Sequence, residues 1–180
     1  MSTAVADGRV VETARLLLRP FTLDDADAYA AIRAKPAVAR FITAWDEPIA
    51  RLRVRMRDYL GEFIAHWDTH GYGPWAMVEK SSGTLIGHHG LRFLPEFAET
   101  EILYTLDDTA WGKGYATEGA VAAREFAFDA AGLGHVVALT RPENHGSRRV
   151  MERIGMQRAG TVRFRGADVL RYESRNPKAG

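Results

Sequence analysis

The cleanest pattern along the chain is a stripe. Ile49, Leu52, Met56, Tyr59, Leu60, Phe63, Ile64 and Trp67 recur at steps of three and four, which puts them on one face of a helix. Pro48 suits the first turn of that helix, and the pattern carries it to about His70. Arg51, Arg53, Arg55 and Arg57 interleave with the stripe. Arginines two apart point in different directions on a helix, so they read as a solvated surface rather than one focused cluster.

Shorter apolar runs flank it. Residues 15–19, Arg-Leu-Leu-Leu-Arg, form a strand that Pro20 should stop. Thr22-x-x-Asp25 has the form of a capping box and opens a helix to about Ala34, broken by Pro36, with Ala26, Tyr29, Ile32 and Arg33 near one side. Residues 75–79 and 84–91 are strands joined by a turn at 80–83, and residues 101–106 make the third strand of a meander. Good helix formers fill residues 116–131 before Gly132 and Gly134 stop them. A strand at 135–140 follows, then a final pair at 156–164 and 168–175 around Arg165-Gly166-Ala167. This order predicts one α/β domain over residues 11–176, its sheet antiparallel first and parallel later. Residues 1–10 read as a small, polar, loose extension.

Composition narrows the class. In 180 residues, 46% are apolar and 26% charged, ordinary for a globular protein, and the formal net charge of +1 argues against a general nucleic-acid binder. No cysteine is present, which removes disulfides, a thiol nucleophile and cysteine-ligated metal, and suits a reducing cytoplasm. No run approaches membrane-spanning length, and the N-terminus lacks a signal-peptide pattern.

The chemistry concentrates in Trp111-Gly112-Lys113-Gly114-Tyr115-Ala116-Thr117-Glu118, between a predicted strand and a predicted helix. Glycines admit close backbone approach, the first N–H groups of a helix lack partners, and its dipole favours negative charge. With Lys113 adding a cation, the expected ligand carries phosphate. The dinucleotide fingerprint fails because Thr117 stands at its third glycine and no acidic residue closes the next strand. The Walker pattern fails because Gly114 follows Lys113. Glu118 complements the helix dipole.

Histidines offer little to a metal. His66 and His70 are spaced as in H-E-x-x-H, but Trp67 occupies the glutamate position. His88 and His89 are neighbours in a strand and must face opposite sides, one of them toward the sheet's inner side. No metal is expected.

W-G-K-G-Y-A-T-E resembles the coenzyme A pyrophosphate loop of the GNAT superfamily of N-acetyltransferases, [QR]-x-x-G-x-[GA]. Gly114 and Ala116 match its last fixed positions, and Trp111 replaces the usual Gln or Arg, as is common in the branch that acetylates ribosomal-protein N-termini. A second block, Asn144-His145-Gly146-Ser147-Arg148-Arg149-Val150-Met151-Glu152-Arg153-Ile154-Gly155-Met156, resembles the family's N-x-x-S-x-x-v-x-e-k-x-G-[FM] element. The resemblance spans residues 12–172. It implies a mixed, mostly antiparallel sheet splayed between its two central parallel strands and flanked by helices, binding acetyl-CoA. Leu103, Tyr104, Trp111, Gly112, Lys113, Gly114, Tyr115, Ala116, Thr117, Asn144, Ser147 and Arg149 are then the cofactor contacts. Asn144 would reach the pantetheine arm or a catalytic water, although Asn and Ser are also ordinary cap residues.

The resemblance further implies an amine acceptor, either a peptide or protein N-terminus or a small molecule, in a cytoplasmic enzyme of a family where dimers are common. The oxyanion donor would be a backbone N–H at a bulge near Leu103–Tyr104. Glu101 is the candidate base. Met151 stands where many members have a tyrosine acid, so Ser147 or water must protonate the leaving thiolate. The arginines of the long helix could attract an acidic acceptor or coenzyme A phosphates. Two rivals remain: a non-catalytic acyl-CoA-binding module, and a nucleotide-binding enzyme using the same glycine turn.

Overall fold

The computed structural model describes residues 3–4, 8–42 and 49–179. Nine strands form one sheet in the order β1-β2-β3-β4-β5-β6-β7-β9-β8. They are β1 (Thr3–Ala4), β2 (Val11–Glu12), β3 (Leu16–Pro20), β4 (Pro74–Glu79), β5 (Thr84–Leu94), β6 (Glu99–Leu106), β7 (His135–Thr140), β8 (Gln157–Phe164) and β9 (Ala167–Arg175). The helices are α1 (Ala26–Arg33), α2 (Pro36–Ala39), α3 (Ile49–His70), α4 (Tyr115–Glu125) and α5 (His145–Arg153). Every neighbouring strand pair is antiparallel except β6 and β7, which are parallel. The mixed, mostly antiparallel sheet flanked by helices is the expected fold.

Pro20 ends the first core strand as expected, opposite Trp75. Two other boundaries need correction. Thr3 and Ala4 do not belong to a loose extension, because they pair with Glu12 and Val11. The helix after the glycine loop gives way to a π turn at Phe126–Ala130 before Gly132. Pro48 lies outside the described residues.

Two apolar clusters hold the layers together. Leu52, Met56, Leu60 and Phe63 of α3 pack with Ala26, Tyr29 and Ala30 of α1 over one face of the sheet. From Leu52 to Trp67 the predicted stripe is therefore buried or half-buried, and the interleaved arginines 51, 53, 55 and 57 are exposed. The opposite face is covered by α4 and α5, whose Ala120, Ala123 and Met151 meet Leu91, Ile102 and Val136. Trp67 joins this second cluster against Trp75 and Phe126.

Gly119 sets how closely α4 approaches the sheet. A Cβ there would lie 2.7 Å from both His89 Cδ2 and Met77 Cε. Alanine would normally favour a helix by about 1 kcal/mol over glycine. At this contact overpacking should win, and Gly119→Ala is expected to destabilise the protein by about 1–3 kcal/mol. Urea denaturation measures it, and an unchanged or higher midpoint would contradict this close packing.

Candidate active site

The site grows from the parting of β6 and β7. Their parallel ladder holds at one position, Glu101 opposite Val137. Asp107 N–H bonds Ile86 O across to β5 at 2.8 Å, and backbone groups alternate sides along a strand. Thr105, Leu103 and Glu101 therefore direct their N–H groups to β5. Those of Leu106, Tyr104 and Ile102 point toward β7. Beyond the single rung β7 has moved away, so the Tyr104 and Leu106 peptides face an open wedge. This corrects the expected bulge. Pairing of β5 with β6 runs without a register shift, and the shift in this part of the sheet lies between β4 and β5 at Met77/Val78. Splaying of the strands, not an inserted residue, exposes the Tyr104 N–H.

A cleft of about 700 Å³ fills the wedge and opens on both faces of the sheet. On the α4 face its wall is the glycine loop. Gly112 and Gly114 have φ of +74° and +84°, left-handed conformations that favour glycine. The first intrahelical bond of α4 is Glu118 N–H to Gly114 O, so the Tyr115, Ala116 and Thr117 N–H groups have no helical partner. A Cβ at Gly112 would meet nothing within 4 Å. Open space, free N–H groups and a helix dipole together fit a pyrophosphate. Trp111 has a local function as well: its Nε1–H caps Leu106 O at 3.1 Å, one of the carbonyls the splaying exposes.

Three ion pairs, centred on Glu118 and Lys35, hold the loop in place. Glu118 accepts from Arg15 Nε at 2.7 Å, Arg15 N–H at 2.9 Å and Thr13 Oγ1 at 2.5 Å, tying the first turn of α4 to the entry of β3. Burial raises the Glu118 pKa, but these donors outweigh it and the net shift is downward. Lys35 reaches Asp107 at 2.7 Å and Asp108 at 2.9 Å, at the short turn Asp108–Ala110 that leads into the loop. Partial burial opposes ionisation of Asp107, yet Lys35 and Thr109 hold its pKa down to about 2.

The second block enters from the other side of the wedge. Asn144 is the N-cap of α5, its Oδ1 accepting from Ser147 N–H at 3.1 Å. Ser147 Oγ lies 2.6 Å from the Tyr104 hydroxyl, which also donates to Ser147 O at 3.2 Å. The Tyr104 ring stacks on His89 with centroids 4.8 Å apart. Burial raises the Tyr104 pKa, so the phenol stays protonated. His89 is wholly buried, and burial drives its pKa down to about 3 despite the Ala116 backbone. It therefore stacks as a neutral ring.

The opposite face carries a different chemistry. Strand alternation places His88 and Arg92 of β5 beside Glu101 of β6, under α1 and α3. Glu101 is 3% exposed and accepts from Arg92 Nε at 2.7 Å. Arg92 Nη2 donates to the same Oε1 atom. Burial raises the Glu101 pKa more than Arg92 lowers it, leaving the carboxyl above its usual range. His88 Nδ1 lies 2.6 Å from Tyr29 OH, and Arg33 Nη1 donates to that hydroxyl at 3.1 Å. Burial, helped by the Arg33 charge, keeps His88 neutral.

All but one of the residues expected at the site line this single cleft, Leu103 and Arg149 included. Lys113 does not line it: the side chain is exposed on the loop, and its carbonyl accepts from Arg15 Nη1 at 2.8 Å. None of the arginines at 51, 53, 55 and 57 reaches the cleft. His66 is engaged by backbone on both sides, Nδ1 with Tyr72 O at 2.8 Å and Nε2 accepting from Phe93 N–H at 2.9 Å. Sequence reasoning missed Arg33, Tyr59 and Arg92. The only hint was Tyr29 and Arg33, four apart on the buried side of α1.

The acetyltransferase (GNAT) domain family model matches residues 15–157. The uncharacterized N-acetyltransferase YoaA of Bacillus subtilis is 26% identical over 155 residues, 86% of each chain. YkkB of the same organism is 34% identical over 112 residues, which make up 59% of this chain and 64% of YkkB, just under two thirds of its length. Among solved structures, the acetyltransferase from Agrobacterium tumefaciens superimposes with a TM-score of 0.79 at 28% identity, covering 97% of this chain and 96% of that one. The ribosomal-protein-S5-alanine acetyltransferase of Vibrio fischeri reaches 0.77 at 18% identity over 95% and 98%, a likeness of fold.

Proposed function

The chain belongs to the GNAT acetyltransferase family, and on that premise we propose that it transfers an acetyl group from acetyl-CoA to a primary amine by direct attack. One observation carries the reading. The splayed wedge joins an anion-binding helix start and the Tyr104–Ser147 pair on one face to the buried Glu101 on the other. Acetyl-CoA enters from the α4 side, its pyrophosphate on the N–H groups of Tyr115, Ala116 and Thr117. The amine enters from the α1 and α3 side.

Each residue then has a task set by its surroundings. Glu101, with its raised pKa, takes the amine proton directly or through a water. The Tyr104 N–H, which no strand satisfies, faces the carbonyl oxygen where negative charge develops. Loss of such a donor typically costs about 2.7–4 kcal/mol of barrier. Ser147 gives its hydroxyl proton to the departing sulfur, and the Tyr104 hydroxyl 2.6 Å from its Oγ can then turn its own proton from Ser147 O to the serine oxygen. A phenol thus stands behind Ser147 although Met151 replaces the tyrosine of many relatives. The buried, ion-paired Glu101 favours an enzyme over a passive acyl-CoA-binding module.

Free-thiol release from acetyl-CoA, followed across peptide N-termini and small primary amines with product masses recorded, tests the reading. Amine-independent release, or none, overturns it. Ser147→Ala should slow the chemical step about 10–100-fold, the low end of general-acid effects, because a thiolate leaves readily. Tyr104→Phe should slow it less, and the pair should not be additive. Single-turnover rates decide this, and an unchanged rate in Ser147→Ala makes solvent the acid. Met151 is buried in the α4-side cluster, so Met151→Tyr should restore little of the loss.

A further inference from the structure

His89 is buried on the α4 face of the sheet, and no step of the proposed reaction uses it. The residue is 0% exposed, and neither of its ring nitrogens has a hydrogen-bond partner. Buried polar atoms left unpaired are costly and call for an explanation. Valine or leucine would fill a strand core without that cost. Packing alone therefore does not account for a histidine here.

Its neighbours supply the reason. In the register of β5 with β6, His89 stands directly opposite Tyr104. The two rings stack with centroids 4.8 Å apart and 22° between their planes. The imidazole also meets α4, where a Cβ on Gly119 would lie 2.7 Å from His89 Cδ2 and 3.1 Å from its Cγ. The slot between the phenol and α4 is therefore narrow, and it takes a glycine to admit even the five-membered imidazole, the smallest aromatic side chain. Phenylalanine would overpack it, and an aliphatic side chain offers no flat face. Tyr104 itself borders the open cleft, so its ring has room to swing unless something holds its plane. Its hydroxyl lies 2.6 Å from Ser147 Oγ, a contact that a modest rotation of the ring breaks. Resting on the acid proposed above, we propose that His89 is a positioning residue, whose ring, wedged by α4, holds the Tyr104 phenol behind Ser147.

The test separates activity from stability. His89→Leu removes both unpaired nitrogens together with the flat face, so its urea midpoint should equal or exceed that of the wild type. Single-turnover acetyl transfer should nevertheless slow about 3–10-fold, the size that the geometry of an aromatic pair delivers. Acetyl-CoA affinity, read by calorimetry, should stay close to wild type. In a Tyr104→Phe background the same substitution should cost nothing further, since the hydroxyl it positions is gone. His89→Val repeats the test with a smaller side chain in case leucine crowds Gly119. An unchanged rate, equal losses in both backgrounds, or failure of both variants to fold overturns the inference. A slowed Ser147→Ala beside an unslowed His89→Leu overturns it alone and leaves the acid in place. If no amine releases thiol, the ring-flip rate of Tyr104 decides, read by NMR on labelled tyrosine and assigned by Tyr104→Phe. Faster flipping in His89→Leu sustains the inference, and an equal rate removes it.

Discussion

Gly114→Val is expected to weaken acetyl-CoA binding by about 100-fold or more while the protein stays folded. Gly114 is the N-cap of α4 and holds φ at +84°. A residue with a Cβ pays roughly 1–2 kcal/mol in that region, and a β-branched one is a genuine outlier there. The added carbon would approach one group, Arg15 Nη2 at 3.3 Å, the far end of a flexible side chain. The fold can therefore absorb the contact, but the loop must rotate out of the left-handed region. That rotation turns the peptides that carry the Tyr115, Ala116 and Thr117 N–H groups, which have no partner within the helix. Each tenfold of affinity corresponds to about 1.4 kcal/mol, so losing two such bonds to a charged ligand suffices. Calorimetry with acetyl-CoA measures the loss, with thermal unfolding as the check on folding. Unchanged affinity in a folded variant would remove the glycine loop from the proposed cofactor site.

That loop was legible in the sequence because its chemistry is local. Two glycines before a run of helix formers constrain the backbone directly, and Asn144 and Ser147 cap α5 three residues apart in the same local way. The wedge was not legible in its detail. Whether Tyr104 N–H is freed by a bulge or by strand splaying depends on where β7 sits, and β7 lies some thirty residues later in the chain. Arg33 shows the same limit from the other side. An arginine at the end of a short helix normally lies at the surface, near the carbonyl end of the dipole. Only the arrival of β5 with His88, and of α3 with Tyr59, buries it against the cleft. The four arginines of α3 were more conspicuous in the sequence and are exposed away from the cleft. Spacing described them correctly, since alternate positions on a helix cannot converge.

Glu101→Gln should lower kcat/KM about 10²–10⁴-fold near neutral pH, the range of general acid–base effects. The substitution is chemically narrow. A glutamine Oε1 can still accept from Arg92 Nε, as Glu101 does at 2.7 Å, so the geometry beneath the cleft persists while the base is lost. The pH dependence carries the sharper test. Burial holds the Glu101 pKa above the ordinary carboxylate value, against the opposing charge of Arg92. The active form is the carboxylate, so wild-type activity should fall with decreasing pH through that raised value, earlier than an exposed glutamate would dictate. The glutamine variant should lack this acid limb. It should also recover part of its activity at alkaline pH, where neutral amine no longer depends on a protein base. Its acetyl-CoA affinity should stay close to wild type, because the glycine loop proposed to bind the pyrophosphate lies on the other face of the sheet. A variant with the wild-type pH–rate profile would leave Glu101 as the structural partner of Arg92, with the acceptor proton passing directly to solvent.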